Sequence, residues 1–178
     1  MKIVEFIKKF FLVLSVTFLL VPINADENKI VEKNTEINVY SGMFDFSDDG
    51  KRATLIGFQH QNEELNRDTF LGNISPVTGA LITGDNATYV YTGVQAHYKV
   101  GSINLTPSFT PGLYGAGDGK DLGHIVEFKS EVQLSLDLST NTEFGFSYNH
   151  ISNASLGEKT LGQIVICLTF LKDFSIFR

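Results

Sequence analysis

The chain has 178 residues, of which 43% are hydrophobic, 14 are basic and 20 are acidic, so that its formal net charge is −6. A negative chain without clustered Lys and Arg has little electrostatic attraction for nucleic acid, and the sequence argues against a nucleic-acid partner. The only cysteine, Cys167, excludes an internal disulfide, and one thiol does not make a metal site.

The first 25 residues have the pattern of a secretory signal peptide. Lys8 and Lys9 precede an apolar run from Phe10 to Val21, and Ala25 provides a small residue for cleavage. The apolar run is shorter than the roughly 20 residues that a membrane-spanning helix needs. We therefore expect a signal peptide over residues 1–25 and one domain over residues 26–178, with 11 basic and 19 acidic residues and a formal net charge of −8.

The rest of the chain alternates between apolar and polar residues with period two, which is the signal of β-strands. One side of the segment from Ile125 to Asp137 is mostly apolar, and the other is polar or charged. The first side consists of Val126, Phe128, Ser130, Val132, Leu134 and Leu136. The second consists of Glu127, Lys129, Glu131, Gln133 and Ser135. The same division returns around residues 90–99, 103–111 and 163–170.

Segment length favours a membrane barrel over a water-soluble β-sandwich. Globular strands usually have about five or six residues, whereas a tilted strand that crosses a bilayer needs about nine to eleven. We predict eight antiparallel strands that close into an outer-membrane β-barrel, whose narrow lumen is filled by its own side chains. The predicted strands cover residues 35–46, 52–63, 67–75, 87–100, 102–113, 123–137, 141–152 and 163–172.

An even number of strands places both chain ends on the periplasmic side. The four loops on the outer side are then residues 47–51, 76–86, 114–122 and 153–162. The short periplasmic turns are residues 64–66, 101 and 138–140.

A base and a hydroxyl occupy the end of the seventh predicted strand. His150 and Ser152 share a side with Phe144, Phe146 and Tyr148, which is the apolar side. In an outer-membrane barrel this parity places both residues near the outer-leaflet interface, facing lipid. A Ser nucleophile needs a nearby base, and lipid esters are the abundant substrates at that depth.

These residues resemble a known family, the outer-membrane lipid A deacylases of the acyloxyacyl hydrolase-like group (3-O-deacylase type). The resemblance is carried by the block His150 to Ala154, the Gly-rich stretch Gly112 to Gly123 and the strand Val126 to Ser130. It implies an eight-stranded barrel in a bacterial outer membrane that acts on lipid A, a component of lipopolysaccharide. It also implies that Ser152 is the nucleophile, that His150 is its base, and that the enzyme needs no metal or cofactor.

One catalytic part of the family pattern is missing. The family carries an acid on the strand after the Ser, where it orients the His, and this chain has Ile164 there. Loss of the orienting acid in a serine-protease triad costs about 10⁴-fold in rate. Glu158, in the preceding loop, is the nearest substitute carboxylate, and its alternative role is that of a solvated loop charge.

Two further assignments stay open. Asn153 either donates a hydrogen bond to the oxyanion or stabilises a turn. The chain as a whole is either a lipid A ester hydrolase or a non-catalytic structural or binding barrel. His60, His97 and His124 have no metal-ligand spacing, so the sequence predicts no metal site, and it assigns no oligomeric state.

Overall fold

The computed structural model describes residues 34–46, 52–62, 65–70, 72–156 and 162–175. The predicted signal peptide and Glu158 lie outside these residues. Within them no helix is long and apolar enough to cross a membrane. Nine strands are present: β1 (Asn34–Phe44), β2 (Ala53–Asn62), β3 (Arg67–Thr69), β4 (Gly72–Thr83), β5 (Thr88–Val100), β6 (Ile103–Gly115), β7 (Val126–Ser139), β8 (Thr142–Ser152) and β9 (Gly162–Ser175).

Eight long strands form a closed antiparallel barrel, as the sequence predicts. Each long strand pairs with its neighbour in the order β2, β1, β9, β8, β7, β6, β5, β4, and pairing of β2 with β4 closes the ring. The three-residue strand β3 pairs only with the beginning of β4. We call the end of the barrel that carries the β1–β2, β4–β5, β6–β7 and β8–β9 connections the loop end.

The wall is apolar on its outer face and largely polar on its inner face. Leu134, Phe146 and Leu168 pair across β7, β8 and β9 and are 47%, 42% and 58% exposed. The next row along these strands, made of Gln133, Ser147 and Cys167, is buried. This distribution is the reverse of that in a water-soluble protein and is typical of strands that face lipid.

Charged, phenolic and amide side chains fill the lumen. Lys129 is only 1% exposed, its ammonium lies 2.9 Å from a Glu131 carboxylate oxygen, and it stacks over the Tyr91 ring at 4.2 Å. The Tyr91 hydroxyl lies 3.0 Å from the Tyr40 hydroxyl and donates to Gln59 Oε1 at 3.1 Å. Buried charges are stable only when they are paired, and this network supplies the partners of Lys129.

The predicted bounds of the third long strand were wrong. The sequence interpretation placed a strand at residues 67–75 and a loop at 76–86, whereas β4 runs from Gly72 to Thr83 and the loop covers only residues 84–87. Pro76 does not interrupt β4, because it removes only one donor from the ladder. Gly79 has a packing role, since a Cβ atom there would meet the Tyr91 ring at 2.5 Å.

Candidate active site

Strand β8 places His150 and Ser152 on the outer face of the wall, next to the loop end. Exposed and buried side chains alternate along the strand, and Phe144, Phe146 and Tyr148 are 46%, 42% and 47% exposed. His150 continues this exposed row, and Ser152 follows it half-buried as the last residue of the strand. His150 and Ser152 therefore lie on the same outer surface of the barrel, because alternate residues of a strand project to the same side.

The two side chains share a surface without contact. No hydrogen bond joins His150 to Ser152 among the described residues. Positions i and i+2 of a strand lie about 6.5 to 7 Å apart, which is too far for a direct hydrogen bond unless the side chains turn toward each other or the strand end twists. Ser152 is the last residue of β8, where it pairs with Phe128 and Gly162, so a twist of the strand end would change the distance between the His150 and Ser152 side chains.

The neighbouring strands fix what surrounds His150. In β9 the residue directly opposite is the half-buried Ile164. In β7 the residue directly opposite is Ser130, which is exposed on the same outer face. Directly opposite residues have Cβ atoms about 4.5 to 5.5 Å apart, so both are within side-chain reach of the imidazole.

An aromatic surface lies beside Ser152. Phe128 is the residue opposite Ser152 in β7, and its ring stacks on that of Phe109 at 5.9 Å between centroids with 14° between the planes. The same outer surface carries Tyr148 one step below His150. A hydroxyl flanked by stacked rings on an apolar wall is a suitable place for an extended acyl chain.

Asn153 lies on the inner side of the wall, and its side-chain contacts are those of a turn. The residue is fully buried, its Nδ2 donates to the Leu122 carbonyl at 2.9 Å, and its Oδ1 accepts from the Ser155 N–H at 3.0 Å. Ala154 and Ser155 both have positive φ, which reverses the chain immediately after β8. These are the contacts of a side chain that stabilises a turn, and the oxyanion role of Asn153 stays a prediction.

The Gly-rich segment contributes to the loop end and not to the surface around His150. Lys120, in this segment, pairs with Asp45 at 3.0 Å, and the Tyr114 hydroxyl donates to the Lys120 carbonyl at 2.7 Å. Two open clefts of about 360 Å³ each lie near this end, one beside Tyr114 and His124 and the other beside Thr54 and Ile82. Neither cleft is lined by His150 or Ser152.

Sequence reasoning did not single out Ser130 as a neighbour of His150. The signal was present, because Ser130 is the polar member of the otherwise apolar outer row of β7. What the sequence lacked was the register that brings it opposite His150. For metals, the described residues contain no group of three His, Cys, Asp or Glu side chains able to hold an ion.

Comparison with known proteins identifies one family and several solved structures of similar fold. The family described as lipid A 3-O-deacylase (PagL) matches residues 69–162, which is more than half of the chain. The crystal structure of the outer membrane enzyme PagL superimposes with a TM-score of 0.56 at 14% identity, covering 77% of this chain and 98% of that one. A chain from the de novo design of transmembrane β-barrels gives the same TM-score at 9% identity and covers 83% and 99%. No curated protein matches the sequence.

Proposed function

Because the chain belongs to the lipid A 3-O-deacylase family, we propose that it hydrolyses an ester-linked acyl chain of lipid A in the bacterial outer membrane, with Ser152 as nucleophile and His150 as general base. The observation that carries this proposal is that the imidazole and the hydroxyl lie on one outer surface of the barrel. That surface is otherwise apolar, so the substrate that reaches it is a lipid.

The reaction follows from the chemistry of the two side chains. His150 takes the proton of Ser152 as Oγ attacks the ester carbonyl carbon, and the resulting oxyanion is stabilised by backbone N–H groups of the turn after β8. Collapse of this intermediate breaks the ester bond, and His150 returns the proton to the departing lipid A oxygen. Water, activated by the same base, then releases the fatty acid from Ser152.

Ile164 limits how well His150 performs this role. A carboxylate at that position would hold the imidazole in the productive tautomer and would stabilise the imidazolium, whereas an Ile side chain does neither. The loss of such an acid costs about 10⁴-fold, or about 5.5 kcal/mol of activation free energy. Glu158 is the substitute that the sequence offers, and its role stays a prediction.

An assay of wild type and three variants tests the proposal. Purified protein is incubated with lipid A in detergent micelles, and released fatty acid is measured by mass spectrometry for wild type, Ser152→Ala, Ile164→Glu and the control Ile164→Val. We expect slow release by wild type, none by Ser152→Ala, faster release by Ile164→Glu and no gain by Ile164→Val. Equal release by wild type and Ser152→Ala would eliminate Ser152 as the nucleophile.

The same Ile164 favours a second function, that of a non-catalytic structural or binding barrel. In that case the His and Ser remain on the outer face, but the group that orients the base is absent. Absence of release by every variant, including Ile164→Glu, would support this alternative and contradict the hydrolase.

A further inference from the structure

The β7 neighbour of His150 offers the hydrogen-bond acceptor that the β9 neighbour lacks. Ser130 and Ile164 lie opposite His150 on its two sides, and Ser130 has a hydroxyl where Ile164 has only carbon. Ser130 is exposed, and the outward residues before and after it are Phe128 and Val132. A single polar side chain in such a row has no role in packing against lipid.

We propose that Ser130 is a positioning residue for His150: its Oγ accepts a hydrogen bond from the imidazole and holds the ring so that the opposite nitrogen faces Ser152. This inference rests on the proposed hydrolase function and assigns to β7 the orienting task that the family gives to the acid on the following strand. No hydrogen bond joins Ser130 to His150 among the described residues, so the proposed contact requires the two side chains to turn toward each other across the β7–β8 pair.

The geometry of the sheet assigns the two ring nitrogens. Ser130 is a direct cross-strand neighbour, with about 4.5 to 5.5 Å between Cβ atoms, whereas Ser152 is about 6.5 to 7 Å away along β8. Nδ1 is the ring nitrogen closer to Cβ and suits the shorter, sideways contact. Nε2, at the far end of the ring, is the one that reaches along the strand toward the nucleophile.

A hydroxyl performs only part of the task of a carboxylate. As an acceptor it selects the tautomer in which Nδ1 carries the proton and Nε2 is free to act as base. Because it is neutral, it adds no charge to stabilise the imidazolium. The expected enzyme is therefore oriented but slow, which agrees with the absence of an acid opposite His150 on either side.

Kinetics test the positioning role. We expect Ser130→Ala to lower kcat about tenfold with little change in KM, since one neutral hydrogen bond corresponds to about that factor. Ser130→Thr keeps the hydroxyl and should restore the rate, and Ser139→Ala, at the other end of β7, is the matched control. A Ser130→Ala enzyme with the kcat of wild type would overturn the proposal.

A second measurement does not depend on turnover. The ¹⁵N resonances of the imidazole in detergent-solubilised protein report which nitrogen carries the proton, and His150→Gln identifies the His150 signals among those of His60, His97 and His124. We expect mainly the Nδ1–H tautomer in wild type and a mixture in Ser130→Ala. Identical spectra would overturn the positioning role. A changed spectrum in a protein that releases no fatty acid would retain the contact and reject the hydrolase.

Discussion

Lys129 and Ser130 are adjacent in sequence, yet they lie in opposite environments on the two faces of β7. On the inner face Lys129 is enclosed by the Glu131 carboxylate and the Tyr91 ring. On the outer face Ser130 and His150 lie opposite each other, exposed and with no hydrogen bond among the described residues. On the inner face Lys129 is fixed by its partners, whereas on the outer face Ser130 and His150 are polar side chains in rows that are otherwise mostly apolar.

The largest effect should come from breaking the inner ion pair. Lys129→Met leaves the Glu131 carboxylate buried without its cation, which costs about 3 to 5 kcal/mol. The control is Lys99→Met, because the Lys99–Asp137 pair at 2.7 Å has side chains 61% and 43% exposed, and such a pair contributes about 0.2 to 1 kcal/mol. Urea unfolding in detergent measures both free energies. If Lys129→Met lowered the free energy of unfolding as little as Lys99→Met does, the lumen network would not stabilise the barrel.

The next effect tests the outer face. Leu134→Lys places a charge in the middle of the outer wall and should cost about 2 to 4 kcal/mol in a bilayer, while Leu138→Lys at the strand end should cost at most about 1 kcal/mol. Both leucines point outward from the same strand, at 47% and 64% exposure. Unfolding from lipid vesicles gives the two values. Equal costs would mean that the middle of β7 does not lie deeper in hydrocarbon than its end.

The smallest effect compares two adjacent residues at the end of β8. Asn153→Ala removes hydrogen bonds to Leu122 and Ser155 in a buried site and should cost about 1 to 3 kcal/mol. Ser152→Ala, on the outer face, should change the free energy of unfolding by less than about 0.5 kcal/mol. If Ser152→Ala were the more destabilising of the two, Ser152 would be a structural residue.

Alternation in the sequence was sufficient for the fold class. The apolar row of β7 and the exposed row of β8 are those that period two predicts. The predicted bounds of the third strand were wrong, because β4 continues through Pro76 and Gly79 to Thr83, and the missing Cβ of Gly79 leaves room for the Tyr91 ring. The role of Glu158 as a substitute for the orienting acid stays a prediction.

The contacts between residues of different strands could not be predicted from the sequence. Period two says on which face a side chain lies, but only the β7–β8 register brings Ser130 to His150. Asn153 could have been assigned inward from parity with Ile151, yet its hydrogen bond to Leu122 joins residues 31 positions apart, which a local pattern does not show.

The seam between β1 and β9 has a consequence for how the chain folds. Val39 pairs there with Phe170, whereas every other wall strand pairs with the next wall strand along the chain. Hairpins between successive strands form early because their contacts are local, and the entropy of closing a long loop delays the seam. Until it forms, β1 and β9 each present an unpaired edge that hydrocarbon does not tolerate. Insertion and closure are therefore one event, and a chain that lacks β9 should fail to insert instead of forming a smaller barrel.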